Sequence, residues 1–209
     1  MIKALIFDLD NTVYPVPQYG ERMFGSLFQL IEQDGGYSGN MSDIKYDLMR
    51  KPFQLAAEKY RFSKKLVQKG TGLLKGLTYD GPIEPFSDYQ EMRKISVDRY
   101  LVTAGFKKFQ WSKIRALGIE KDFKQVYIVD ISLQTKKDVF EKILRENAYM
   151  PSEALVVGDD PEGEIRAGRE LGMITVLYDR SGRIDDAEAN YKIPDLGKLA
   201  EILNLNDGV

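Results

Sequence analysis

Five short apolar runs, at residues 3–7, 99–102, 125–129, 154–157 and 174–178, leave this chain few ways to fold. None alternates between apolar and polar residues, so each is expected to be a strand buried on both faces. That is the condition of a strand in a parallel sheet covered by helices. Helical patterns separate the later runs, which predicts an α/β, Rossmann-like, doubly wound parallel sheet. Residues 107–117 end at Gly118, which suits a helix C-cap. Residues 136–145 place Val139, Phe140, Ile143 and Leu144 on one face. Residues 161–171 open with Pro161 in the first turn and stop at Gly172, and a last helix is expected near 196–203.

The first interval breaks this rhythm. Residues 8–98 are far more than a crossover between neighbouring strands needs. They hold helical stretches near 18–33, 42–60 and 63–75, punctuated by Gly35-Gly36 and Ser38-Gly39-Asn40, and Pro52 should kink or split the second. Residues 14–82 therefore read as an inserted helical subdomain, with 1–13 and 83–209 forming the core. Residues 78–85, with Gly81, Pro82 and Pro85, look like the returning linker.

Two absences narrow the chemistry. The 209 residues include no Cys and no His. That removes disulfides, thiolate nucleophiles, cysteine zinc sites and every scheme built on imidazole. Acid–base work must fall to carboxylates, Lys or Tyr, and a metal would sit on oxygen ligands, which suits Mg2+ better than Zn2+. Lys and Arg number 30 against 32 Asp and Glu, so nothing advertises a nucleic-acid or anionic-membrane surface. The apolar N-terminal run is stopped by Asp8 and Asp10, unlike a signal peptide, and no run approaches the ~20 apolar residues of a membrane span. A soluble cytoplasmic protein is expected.

Asp8-Leu9-Asp10-Asn11-Thr12 directly follows the first strand. Acids at that end of an open α/β sheet lie where ligands bind, and they are costly beside a core unless paired. Asp8 is placed to attack phosphorus, and Asp10 to protonate the leaving oxygen and later activate water. The alternative is an acidic turn or a helix cap. A second acidic cluster, Gly158-Asp159-Asp160-Pro161-Glu162-Gly163-Glu164, follows the fourth run. Asp159 is the best metal ligand there, with Asp160 and Glu164 as water-mediated or orienting groups; the alternative is simple N-capping. Thr103, with the backbone N–H groups of Ala104 and Gly105, is a candidate phosphate cradle. Lys136 is a candidate phosphate ligand and is preferred over Lys137, because it precedes Phe140 by one helical turn and shares its buried face.

Taken together, these four pieces resemble the haloacid dehalogenase superfamily, over residues 1 to about 180. Its Asp-x-Asp-x-Thr motif is matched by Asp8, Asp10 and Thr12, its strand-end Thr by Thr103, its Lys by Lys136, and its Gly-Asp by Gly158-Asp159. The resemblance implies a nucleophile at Asp8 and a general acid–base at Asp10. It implies Mg2+ held by Asp8, by the backbone carbonyl of Asp10, and by Asp159. It also implies that the inserted helices form a cap. Glu164 departs from the family pattern, which usually has Asp there. Asn11 stands where Gly is common, and with Tyr14-Pro15 it is similar to the nucleotidase-like members. The activity so implied is Mg2+-dependent hydrolysis of a small phosphorylated metabolite, a nucleotide or a sugar phosphate. A phosphoryl mutase, a dehalogenase or a catalytically silent binding module on the same scaffold are the alternatives. Tyr37, Tyr46, Arg50, Phe53 and Tyr60 are candidate pocket residues of the cap, though most are expected to pack it.

Overall fold

Strands β1 (Ala4–Phe7), β2 (Asp98–Ala104), β3 (Gln125–Val129), β4 (Ala154–Gly158), β5 (Ile174–Tyr178) and β6 (Tyr191–Ile193) form one sheet in the order β3-β2-β1-β4-β5-β6. Every neighbouring pair is parallel. The computed structural model describes residues 1–184 and 188–207. The two central strands show why their sequences do not alternate. Leu5, Phe7, Leu155 and Val157 face one apolar cluster, while Ala4, Ile6, Ala154 and Val156 face another on the opposite side. A side-chain period of two, with helices on both faces, makes every position apolar.

Helices α1 (Val16–Asp34), α2 (Met41–Leu48), α3 (Phe53–Lys59) and α4 (Lys64–Gly76) occupy the long first interval. Their limits follow local chemistry. Pro17 lies in the first turn of α1, and Gly35 ends it at φ 65°. Asn40 caps α2 by accepting from Asp43 N at 2.8 Å, and Ser63 caps α4 by accepting from Leu66 N at 3.1 Å. Pro52 separates α2 from α3, as the sequence predicts. The apolar stripe of α1, including Phe24, Leu27 and Ile31, joins the same cluster as Leu5 and Phe7, so the helices share the core of the sheet. Phe24 meets Phe109 edge-on, with ring centroids 5.4 Å apart.

The remaining helices are α5 (Tyr89–Arg93), α6 (Lys107–Leu117), α7 (Lys136–Glu146), α8 (Arg166–Glu170) and α9 (Leu199–Asp207). Three features differ from the sequence reading. The short helix α5 has no clear periodic signal. Strand β6 has only three residues, with Lys192 exposed between Tyr191 and Ile193, so it forms no apolar run. The helix expected over 161–171 is a wide turn at 161–165 followed by α8. Gly163, at φ −93° and ψ −105°, departs from helical angles there. Among the described residues, no helix is long and apolar enough to cross a membrane.

Candidate active site

In the order β3-β2-β1-β4-β5-β6, the chain winds outward from β1 to one side and then returns to β4 on the other. The crevice beyond the carboxyl ends of β1 and β4 is therefore the switch point where ligands bind in such sheets. Phe7 pairs with Val157 in register, and Asp8 N still donates to Val157 O at 3.0 Å. Asp8 and Gly158-Asp159 thus emerge side by side. Beyond Asp8 the chain turns sharply, with Val13 N on Leu9 O at 2.9 Å and Asn11 at φ 60°. Asn tolerates that left-handed conformation better than most residues, which accounts for its standing where Gly is common. Its side chain donates to Met49 O at 3.2 Å, which ties the turn to the end of α2. Thr12 is fully buried behind the turn.

Asp8, Asp159 and Glu164 are all buried, and a carboxylate oxygen from each lies within 4.8 Å of the others. Lys136 Nζ lies 2.6 Å from Asp8 Oδ1 and 2.6 Å from Glu164 Oε2. Lys137 instead pairs with Glu170 at 2.8 Å on the surface, so Lys136 is the lysine that reaches the cluster. Glu164 also accepts from Asp160 N at 2.9 Å, while the Asp160 carboxylate accepts from Glu162 N at 3.1 Å and acts as a helix cap. Burial pushes the Asp8 carboxyl up to about 7 against the pull of Lys136, with Glu164 and Asp10 pushing the same way. Burial, with Glu164 beside it, raises Asp159 well above the usual carboxylate range despite Arg50. Burial also forces Lys136 to depend on its partners; Asp8 and Glu164 outweigh that penalty and hold its ammonium charged.

Gly158 has a steric reason. A Cβ there would lie 2.1 Å from Glu164 Oε1 and 2.3 Å from its Cγ. Gly158→Ala is expected to expel Glu164 from the cluster and cost about 1–3 kcal/mol. Urea denaturation checks this, and a variant as stable as the parent contradicts the packing.

The Asp10 carboxylate is held elsewhere. Lys113 Nζ lies 2.7 Å from both its oxygens, Tyr14 OH donates to Oδ1 at 2.5 Å, and Gln110 Nε2 donates to Oδ2 at 3.0 Å. Burial pushes this carboxyl up, but Lys113, Tyr14 and Gln110 outweigh it and hold Asp10 below its ordinary value. Gln110 Nε2 also reaches Thr103 Oγ1 at 2.5 Å, which joins the end of β2 to Asp10. The Gly105 N–H, expected to face phosphate, instead donates to Val129 O at 3.0 Å. This corrects the reading of that donor: at φ 145°, Gly105 bends the chain back onto β3 rather than opening its N–H to a ligand.

A cleft of about 550 Å3 gathers Asp8, Asp10, Thr103, Ala104, Lys136 and Asp159. Arg50, from the loop between α2 and α3, enters it and pairs with Asp159 at 2.7 Å. Phe53 also lines the cleft. Tyr60 instead donates to buried Asp47 at 2.9 Å, Tyr37 meets Phe62 edge-on, and Tyr46 is largely exposed. Gln110 and Lys113 escaped the sequence reading, and Tyr14 entered it only through the Tyr14-Pro15 likeness, with no role at Asp10. A signal for Lys113 was present: it interrupts the stripe Phe109–Lys113–Leu117, spaced at one helical turn.

The fold and this carboxylate–lysine cluster define a known class: the chain belongs to the haloacid dehalogenase-like hydrolase family, whose model matches residues 2–172. Among its relatives is the glyceraldehyde 3-phosphate phosphatase of Methanopyrus kandleri, 26% identical over 90% of this chain and 88% of that protein. Another is the ribulose-1,5-bisphosphate 5-phosphatase of Halopiger xanaduensis, 25% identical over 98% of this chain and all (100%) of that one. The crystal structure of a phosphatase of this family from Thermococcus onnurineus superposes with a TM-score of 0.67 at 19% identity, covering 97% of this chain and 98% of that chain, and so shares the fold.

Proposed function

We propose that this chain is a Mg2+-dependent phosphatase that hydrolyses a small phosphomonoester through an aspartyl-phosphate on Asp8. The observation that carries the reading is the convergence of Asp8, Asp159, Glu164 and Lys136 at the switch point between β1 and β4. The donor set fits a hard divalent cation: three buried carboxylates offer only oxygen, and the raised proton affinities of Asp8 and Asp159 mark an under-neutralised site. Asp8, Asp159 and Glu164 would hold the ion, together with the Asp10 carbonyl that the family resemblance implies. Bound there, Mg2+ would offset the repulsion between Asp8 and the phosphate oxygens.

The chain's own groups then divide the work. An Asp8 oxygen attacks phosphorus, and the bond from phosphorus to the leaving oxygen breaks as Asp10 gives that oxygen a proton. A phosphate dianion entering beside Asp10 favours its protonated form. In the second half, Asp10 takes a proton from water. The water oxygen attacks phosphorus, the bond from phosphorus to Asp8 breaks, and inorganic phosphate leaves. Lys136, Thr103 and the Ala104 backbone would hold the non-bridging oxygens. Helices α1–α4, within residues 14–82, would act as a cap. Phe24 and Leu48 on its inner wall, with Phe109 of α6 facing them from the core, keep water from the acyl phosphate, while Arg50 and Lys51 face an anionic or hydroxylated substrate body. A small sugar phosphate suits both the cleft and the substrates named for the relatives. Dehalogenation is disfavoured, because a carbon centre needs neither Asp10 nor the second acidic group.

Hydrolysis of p-nitrophenyl phosphate is expected to require Mg2+ and to stop in excess chelator. Beryllium fluoride with Mg2+ should mimic the acyl phosphate and raise the melting temperature, with about 2.7 kcal/mol gained at a hundredfold excess over Kd. An unchanged melting temperature would instead indicate a silent module.

A further inference from the structure

We infer that Lys113 is a positioning residue for Asp10 and acts on catalysis only through that carboxylate. This rests on the phosphatase reading above, in which Asp10 moves the proton. The residue is buried at 1% exposure on α6, inside the stripe formed by Phe109 and Leu117. An ammonium group in that setting is costly unless strongly paired. Its one ion pair among the described residues is with Asp10, at 2.7 Å from each oxygen. The ring of Phe109 covers it, with the centroid 4.9 Å away, and so limits where the ammonium can go.

The need for such a holder follows from the local backbone. Asp10 lies three residues after Phe7, the last strand position of β1, and immediately before the left-handed Asn11. An isolated bridge to Tyr14 holds its backbone but leaves its side chain to be fixed by other groups. A single hydrogen bond would leave the plane of the carboxylate free to rotate about the Cβ–Cγ bond. Contact of one ammonium with both oxygens, flanked by Tyr14 on Oδ1 and Gln110 on Oδ2, sets that plane. Gln110 also touches Thr103, so the plane is referenced to the strand end expected to hold the phosphate. Proton transfer depends steeply on such placement, because the acid must reach the leaving oxygen as its bond breaks.

The test is the dependence of kcat/KM on leaving-group basicity, from p-nitrophenyl phosphate through less acidic phenols to simple alkyl phosphates. An aryl oxyanion departs without a proton, whereas an alkoxide needs one. Lys113→Met is expected to lose only a few-fold on p-nitrophenyl phosphate and on the order of 10²-fold on alkyl phosphates. Asp10→Asn should steepen the series similarly, and Lys113→Met should add nothing within the Asp10→Asn background. Lys113→Gln, which keeps a donor, should fall between parent and Met variant and serves if the Met variant does not fold. A purely structural lysine would lower every substrate alike and add its loss to that of Asp10→Asn; either result overturns the inference, as does full activity on alkyl phosphates. Asp8→Asn is the control: activity surviving in it sinks the phosphatase reading itself, whereas a dead Asp8→Asn with a uniform Lys113→Met loss sinks only the role of Lys113.

Discussion

Asp8→Asn is expected to abolish turnover, with a loss of about 10⁴-fold or more, while leaving the protein folded. An amide keeps the shape of the carboxylate but cannot form an acyl phosphate. The fold should tolerate the change because Lys136 retains Glu164 at 2.6 Å, and one of three crowded carboxylates is gone. The pH dependence of stability supplies an independent reading. In the parent, Asp8 rises from an ordinary 3.8 to about 7 in the folded state. A carboxyl whose folded value is raised binds its proton more tightly when folded. Its contribution is therefore fully present below 3.8 and is lost as pH rises toward 7. The metal-free parent should lose stability across that window, and Asp8→Asn should show a flatter profile. Turnover near the parent level in Asp8→Asn would remove the nucleophile from the mechanism, and identical pH profiles would contradict the environment of Asp8.

Lys136→Met should produce the largest loss of stability. The substitution keeps most of the aliphatic stem but leaves Asp8 and Glu164 facing each other without their shared cation. Breaking a buried pair in this way costs about 3–5 kcal/mol. Without the pull of Lys136 the Asp8 carboxyl rises above its parental value of about 7, and its protonation relieves part of that cost, so the deficit should be smaller at pH 5 than at pH 8. Mg2+ should restore part of the stability by replacing the missing positive charge, and the double variant Asp8→Asn, Lys136→Met should be more stable than Lys136→Met alone. Urea denaturation at the two pH values, with and without Mg2+, measures each effect. A Lys136→Met variant that matches the parent at pH 8 would show that the lysine does not neutralise the cluster.

The sheet was legible because strand burial writes itself into contiguous residues. β1 and β4 stand out as unbroken apolar runs and β5 is broken only by Thr175, and Pro52, Gly35 and Gly118 mark boundaries by their own backbone restrictions. β6 was not legible, since a three-residue edge strand takes its conformation from β5 rather than from any pattern of its own. The irregular turn at 161–165 was hidden for a related reason. Pro161 and the acids around it are good helix-starting residues, yet the inward position of Glu164 and the backbone of Gly163 win over that local preference.

The sequence by itself determined the strand ends, the carboxylates placed on them and the restriction to oxygen ligands, because each depends on residue types and spacings along one short segment. Only the tertiary structure decided which cation meets which acid. Lys136 finds Asp8 across 128 positions, Lys113 finds Asp10 across 103, and Arg50 finds Asp159 across 109. Those partnerships follow from strand order and from how each helix rotates to bury its apolar face. A lysine's fate is then set by what the fold brings next to it, and that cost of burial is not written in the residues beside it in the chain.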